Sequence, residues 1–268
     1  MKITIIGCGT TGNAIIPLLN GKITLIDRDI VEEKNLSRQK LFTKKDIGKP
    51  KAEVLGKRFK YAYKDIDLDY ENISFLKKAD LVIDCTDNLE TRFLMNEFCT
   101  KNKIPWIYTG IVASRARMMS FTGNFCFRCI FSEVKGLETC TTAGVDLSQA
   151  QLLAKIVQKE VERIFSGKKS SGLWANGEWI KVQRNPSCPV CKGNYFYLQG
   201  KKERPIKFCG SSRYQFKGDF DFNLIKKRLH GKGNSFVYKD FYIFKERVLV
   251  KANSEKEAKK KFTEIIGA

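Results

Sequence analysis

Short apolar runs alternate with helically periodic stretches along the N-terminal part of the chain. "KITIIG" (residues 2–7) and "GKITLID" (21–27) read as strands, and "NAIIPLLN" (13–20) as a short helix between them, a βαβ unit. "KPKAEVLGKRFKYAY" (49–63) has the pattern of an amphipathic helix with Pro50 near its start. "ADLVIDCTDN" (79–88) is almost continuously apolar until its polar end, as a buried parallel strand would be. "LETRFLMNEFCTKN" (89–102) predicts a helix and "PWIYTGIVA" (105–113) another strand. This alternation predicts an α/β fold: a Rossmann-like, mostly parallel sheet with helices on both faces.

After Gly123 the rhythm changes. A first CxxC, "FCFRCI" (125–130), is followed by a loop around Cys140 and then "LSQAQLLAKIVQKEVERIF" (147–165), an amphipathic helix. "SGKKSSG" (166–172) reads as a mobile turn, and a second CxxC follows in "SCPVCKG" (187–193). Residues 205–268 end in two β-rich runs, "SFVYKDFYIF" (235–244) and "RVLVKA" (247–252), and a lysine-faced helix, "SEKEAKKKFTEII" (254–266). Two domains are therefore expected: residues 1–200, carrying the knuckles, and a small basic α+β appendage over 205–268. No internal repeat is visible.

The chain has 268 residues, 43% of them hydrophobic, enough for one sizeable core plus a small extra one. No run approaches the length of a membrane span, and the first residues do not form a signal peptide because the apolar stretch runs straight into glycines. A cytoplasmic protein is expected. The formal net charge is +20, and from Gly200 onward 18 Lys+Arg face 8 Asp+Glu, so half of the excess lies in the tail. No aromatic-interleaved RNA motif accompanies those lysines, which favours a solvated face over a nucleic-acid site.

Nine cysteines change the picture more than the charge does. Cys126 and Cys129 form one CxxC, Cys188 and Cys191 the other. In a cytosolic chain two such knuckles predict a four-thiolate, tetrahedral zinc site, structural because no position is left for water. Cys8, Cys85 and Cys99 fall in or beside predicted core elements and read as small hydrophobes. Cys209 belongs to no recognisable motif. The sole histidine, His230, lies far along the chain in "RLHGKG", which gives a Cys–His dyad no support.

Gly7, Gly9 and Gly12 make GxGxxG between a strand and a helix, and Asp27 ends the next strand. Glycines let backbone approach phosphates, and an acid there can hold ribose hydroxyls. The turn alone fits a nicotinamide dinucleotide and ATP equally well. "DRDIVEEKNLSRQ" (27–39) and the "TDN" of residues 86–88 are not called for by a dinucleotide.

With "GCGTTGN", "DRDIVEEKNLSRQ", "GKPKAE", "DCTDNLETR", "CFRCIF", "ETCTTAGV" and "CPVC" in this order, the chain resembles the ubiquitin-activating superfamily, in particular the ThiF/MoeB/HesA adenylyltransferases. The likeness covers residues 1 to about 195, and the tail is similar to the C-terminal extension of some prokaryotic ThiF-like members. The resemblance implies an enzyme that binds ATP and Mg²⁺ and joins AMP to the C-terminal glycine of a small ubiquitin-like, β-grasp or sulfur-carrier protein ending in Gly-Gly. Carried over by motif, Asp27 holds ribose; Asn35, Arg38 and Lys51 contact phosphates; Asp87 ligates Mg²⁺; and Asn88 lines the nucleotide pocket. Gln39 is expected to orient Arg38. Cys140 aligns with a cysteine that in several members accepts the activated partner as a thioester or takes part in sulfur transfer, while other members stop at adenylation. A homodimer, or a dimer with a paralogue, is the family habit, and a downstream conjugating or sulfur-transfer protein is a further expected partner.

Three features depart from that pattern. With the first predicted strand opening at Lys2, the family's N-terminal helix and its phosphate-contacting arginine are not expected. The charge would then come from a second subunit, another local arginine or the ubiquitin-like protein. Thr10 stands where a third glycine is common, and the short crossover to Asp27 contains Pro17. Competing readings are a tRNA threonylcarbamoyladenosine dehydratase-like enzyme, which the paired knuckles argue against, and a nicotinamide-dependent oxidoreductase resting on the glycines and Asp27 alone. A non-catalytic scaffold subunit is a third, against which Arg38, Lys51 and Asp87 speak.

Overall fold

A computed structural model describes residues 1–112, 115–131, 146–170, 172–175, 177–200, 206–207, 213–217, 220–245 and 247–266. The chain divides into two compact units, Met1–Lys201 and Lys202–Ala268. The first is built on an eight-stranded sheet. Its strands are β1 (Lys2–Ile6), β2 (Lys22–Asp27), β3 (Ala62–Asp65), β4 (Leu81–Asp84), β5 (Trp106–Val112), β6 (Arg115–Phe121), β7 (Leu173–Ala175) and β8 (Glu178–Ile180). Its helices among the described residues are α1 (Thr10–Ile15), α2 (Lys51–Phe59), α3 (Leu89–Asn102) and α4 (Leu147–Phe165).

The strands run in the order β3-β2-β1-β4-β5-β6-β7-β8. The first five are mutually parallel and the last three join antiparallel. Alternation along β1 sends Ile3 and Ile5 to one face, where they meet residues of α1, α2 and α4 such as Ile15, Leu55 and Leu153. Ile6 and Val82 go to the other face, against Phe93, Met95 and Phe98 of α3. Helices therefore cover both faces, which is why β1 and β4 tolerate no exposed apolar side chain.

Strand order reverses between β1 and β4, and the loops leaving their C-terminal ends diverge there. That crevice lies beside Gly7, which follows β1, and beside Cys85–Asp87, which follow β4.

The first unit differs from the sequence reading in several elements, β7 and β8 among them, which that reading did not predict. The helix expected over 49–63 stops at Phe59, because Lys60 adopts left-handed backbone (φ 58). Ala62–Asp65 then pairs with β2 as an edge strand. The helix between β1 and β2 begins three residues earlier, at Thr10, and finishes as a 3₁₀ turn over Ile16–Leu18, whose first turn accommodates Pro17. Finally, β6 was not anticipated: "RARMMSF" lies antiparallel on β5.

The second unit has an antiparallel five-stranded sheet in which the last strand in sequence, Arg247–Lys251, lies at the centre, between Phe241–Phe244 and Arg213–Lys217. Its strands are β9 (Ile206–Lys207), β10 (Arg213–Lys217), β11 (Ser235–Tyr238), β12 (Phe241–Phe244) and β13 (Arg247–Lys251), accompanied by α5 (Phe222–Arg228) and α6 (Glu255–Ile266). Phe222, Ile225, Ile243, Val248, Val250 and Ile266 form its core. No described helix in either unit is long and apolar enough to cross a membrane.

Candidate nucleotide site and cysteine cluster

The glycine turn is shaped by close approach. Gly7 has φ 97, and a Cβ there would lie 2.6 Å from the Cys85 carbonyl oxygen. At Gly12 a Cβ would lie 2.2 Å from the Gly7 oxygen, so helix α1 can pack on the turn only without one. Gly9 instead faces open space, with nothing within 4 Å of its Cβ position. The turn is further held by Asn13, whose Nδ2 donates to the carbonyls of Cys8 (2.9 Å) and Gly9 (3.2 Å).

Asp27 ties the same turn down. Its Oδ2 accepts the Cys8 N–H and its Oδ1 accepts the Asp29 N–H at 2.7 Å. Burial, then the neighbouring Asp29 charge, holds the Asp27 carboxyl above its usual range, with Lys51 opposing. Lys51 is buried at the start of α2, and its Nζ lies 3.0 Å from Asp29 Oδ2. Burial alone would lower this ammonium, but Asp29 and Asp27 more than reverse the effect and hold it above the usual lysine range.

Two more cations lie nearby, the predicted Arg38 and Lys34, which sequence reasoning did not single out. Lys34 is held below its usual range by partial burial, then by the charge of Lys51, with Asp29 opposing and Arg38 adding to the lowering. Lys34 thus feels the charges of both Lys51 and Arg38, a field suited to a polyanion. Asn35 is buried and closes the 3₁₀ turn Glu33–Asn35 by accepting the Glu32 N–H at 3.1 Å. Gln39 is buried too, but its Oε1 has no partner among the described residues, so no bond from it orients Arg38. An orphaned buried amide oxygen at this position fits a site completed by a ligand or water.

On the far side of the crevice, Asp87 sits on the turn after β4 and reaches solvent. Removal from water and then the Asp29 charge still hold its carboxyl above the usual range, with Arg92 and Arg28 opposing. Crowded acids of this kind favour a cation. Asn88 caps α3, its side chain accepting the Glu90 N–H at 2.9 Å.

Several residues here escaped sequence reasoning. Asp29 is the partner of Lys51. Arg28, the residue between the two acids, donates to Asp67 at 2.8 Å and feels the charges of Asp29 and Asp87, a local arginine at the site. Asp84 and Arg92 form a buried ion pair at 2.9 Å beneath the Asp87 turn. The available signal was an acid ending an otherwise apolar strand, with an arginine eight residues on.

The four knuckle cysteines converge. Cys126 and Cys188 Sγ lie 3.5 Å apart, Cys129 and Cys191 3.5 Å, Cys126 and Cys129 3.9 Å, and all four within 4.8 Å of one another. None is in a disulfide. Thiolates at about 2.3 Å around a tetrahedral zinc lie about 3.8 Å apart, so the cluster fits that ion. Burial raises Cys126 and pushes Cys191 up to about 11, a cost that a central dication would offset. Cys8, Cys85 and Cys99 are buried with thiols raised by that burial, as befits inert core residues. Cys140 and Cys209 lie outside the described residues.

Residues 1–190 match the ThiF family. The chain is 29% identical over 263 residues to the sulfur carrier protein ThiS adenylyltransferase of Bacillus subtilis (strain 168), covering 86% of this chain and 77% of that one. To the enzyme of the same description from Escherichia coli (strain K12) it is 32% identical over 222 residues, covering 72% and 86%. Among solved structures, Escherichia coli MccB with ATP superposes with a TM-score of 0.59 at 24% identity, over 71% of this chain and 65% of that one. This likeness speaks for the fold.

Proposed function

The chain belongs to the ThiF family, an adenylyltransferase-type enzyme, and from that premise we propose that it uses ATP to adenylylate the C-terminal glycine of a small sulfur-carrier or ubiquitin-like protein. The observation that carries this reading is the buried Lys51, held charged by its 3.0 Å contact with Asp29 beside the glycine turn, with Lys34 within reach of its charge and of that of Arg38. A nicotinamide has no use for such a cluster, whereas a triphosphate does.

In this reading residues 1–200 are the adenylation domain. The turn at Gly7, Gly9 and Gly12 admits phosphate close to backbone, and Asp27 has lone pairs left for ribose while it braces the turn. Asn88 lines the nucleotide pocket. Asn35, Arg38 and Lys51 hold the phosphates, Lys51 exchanging its contact with Asp29 for one with phosphate. The carrier's terminal carboxylate attacks the α-phosphorus; its O–P bond forms as the bond to the pyrophosphate oxygen breaks. Both reactants are anions, so what these residues contribute is charge and alignment rather than a strong base. Mg²⁺, which Asp87 would hold, supplies further neutralisation of the phosphates when bound. Arg28, whose guanidinium feels the charges of Asp29 and Asp87, is a local arginine that can add positive charge for the phosphates. Where a second step follows, the Cys140 thiolate attacks the acyl-adenylate, a C–S bond forms and AMP leaves.

The test is ATP–pyrophosphate exchange by the purified chain with a β-grasp protein ending in Gly-Gly. Exchange that depends on that protein is expected. A folded, zinc-loaded chain that exchanges with no such candidate, even with a paralogue added, would sink the proposal. Lys51→Met is expected to lower the exchange rate by about 10²–10³, with circular dichroism unchanged. Equal rates in wild type and variant would remove Lys51 from the site.

A further inference from the structure

Arg92 is a buried, multiply bonded side chain near the crevice, and the proposed chemistry does not call on it. It lies on α3 and donates from Nε to Asp84 Oδ2 at 2.9 Å and from Nη2 to the carbonyl oxygens of Thr86 and Thr109, the latter at 3.1 Å. Its guanidinium lies 4.8 Å from the Tyr108 ring centroid. The other oxygen of Asp84 accepts both the N–H (2.8 Å) and the hydroxyl (2.7 Å) of Thr86, and the Thr109 hydroxyl donates to the Asp84 carbonyl at 2.5 Å. One side chain thus joins the end of β4, the next strand β5, helix α3 and the turn between them.

A buried ion pair is a poor way to gain stability, since apolar residues of the same volume serve at least as well. It does supply direction. Every bond of this network ends on Asp84, on Thr86 or on the strand behind them, and Thr86 is the residue before Asp87. The same turn abuts the phosphate loop: the Cβ position of Gly7 lies 2.6 Å from the Cys85 oxygen and 3.0 Å from the Thr86 nitrogen. Fixing Thr86 at its nitrogen, hydroxyl and carbonyl leaves the following residue little freedom relative to that loop.

We infer that Arg92 is a positioning residue for Asp87, its planar fork locking the Asp84–Thr86 turn so that the Asp87 carboxylate meets a nucleotide-bound divalent cation at fixed geometry. The inference rests on the proposed assignment of Asp87. A lysine would keep the charge, but a single ammonium lacks the fork that spans a carboxylate and two carbonyls.

The experiment measures binding of a fluorescent, non-hydrolysable ATP analogue to the full zinc-loaded chain during a Mg²⁺ titration, well below the melting temperature. Arg92→Lys is expected to raise the half-saturating Mg²⁺ concentration by about 10–100-fold, as loss of a residue behind a metal ligand does. Affinity for the analogue without Mg²⁺ should stay at the wild-type value, which a general loosening of the fold would not allow. Thr86→Val, which removes only the hydroxyl bond to Asp84, is expected to shift the same parameter in the same direction by less. It decides the matter if Arg92→Lys does not fold. Unchanged Mg²⁺ dependence in the folded variant, or a wild type whose analogue binding ignores Mg²⁺, overturns the inference alone. A wild type that binds no nucleotide overturns the ATP reading and the inference with it.

Discussion

Replacing Asp87 by asparagine is expected to lower partner-dependent pyrophosphate exchange by about 10²–10³, the usual cost of one electrostatic group at a reacting centre, and yet to raise the thermal midpoint of the nucleotide-free protein at neutral pH. The two effects share a cause. Removal from water, and secondarily Asp29, hold the Asp87 carboxyl above its usual range, so the fold disfavours its charged form. An acid whose pKa is higher folded than unfolded binds its proton more tightly in the native state. Its charge therefore costs stability at every pH above the folded value, and the cost fades as pH falls through the folded value toward the ordinary 3.8. The gain in midpoint from Asp87→Asn should accordingly be full at pH 7 and shrink in acid. Asp87 reaches solvent, so this gain is small beside the loss of exchange. Calorimetry from pH 7 to pH 4, paired with the exchange assay, separates the two. A variant less stable than wild type at pH 7, or one that exchanges normally, contradicts this account of the site.

Cys188→Ser is expected to have the largest effect on stability. Cys188 is buried 3.5 Å from Cys126, so the substitution removes one of the four thiols that would hold the ion. Metal content by atomic emission should fall from about one zinc per chain toward none, since a structural site needs all four thiolates. Binding energies of structural zinc, about 10–16 kcal/mol in small domains, rival the whole stability of a domain. A strong chelator should reproduce the drop in midpoint. Helix α3 would feel the loss, because Asn96 accepts the N–H of Phe127 between the first pair of cysteines at 2.8 Å. Glu97 likewise accepts those of Phe196 and Leu198 beyond the second pair, at 2.9 and 3.0 Å. A variant that keeps its metal, or loses it without a fall in midpoint, would show the cluster to be dispensable.

What the sequence determined by itself was whatever is written in contiguous residues. The glycine spacing, the Asn35–Arg38 segment, the paired CxxC motifs and helices α3 and α4 are local patterns, and both helices occupy the stretches predicted for them. Local pattern misled where a partner strand outbid it. The helical rhythm of residues 49–63 continues past Phe59, but pairing with β2 turns Ala62–Asp65 into strand. Only the tertiary structure decided which charges meet. Asp29 and Lys51 are 22 residues apart, and they pair because the loop after β2 and the start of α2 come together beside the crevice. Arg92 is an unremarkable helix residue until β4 and β5 lie alongside each other and bury it against Asp84, Thr86 and Thr109. Such partnerships depend on sheet order and on how far water is excluded, and neither is a property of a short stretch of chain.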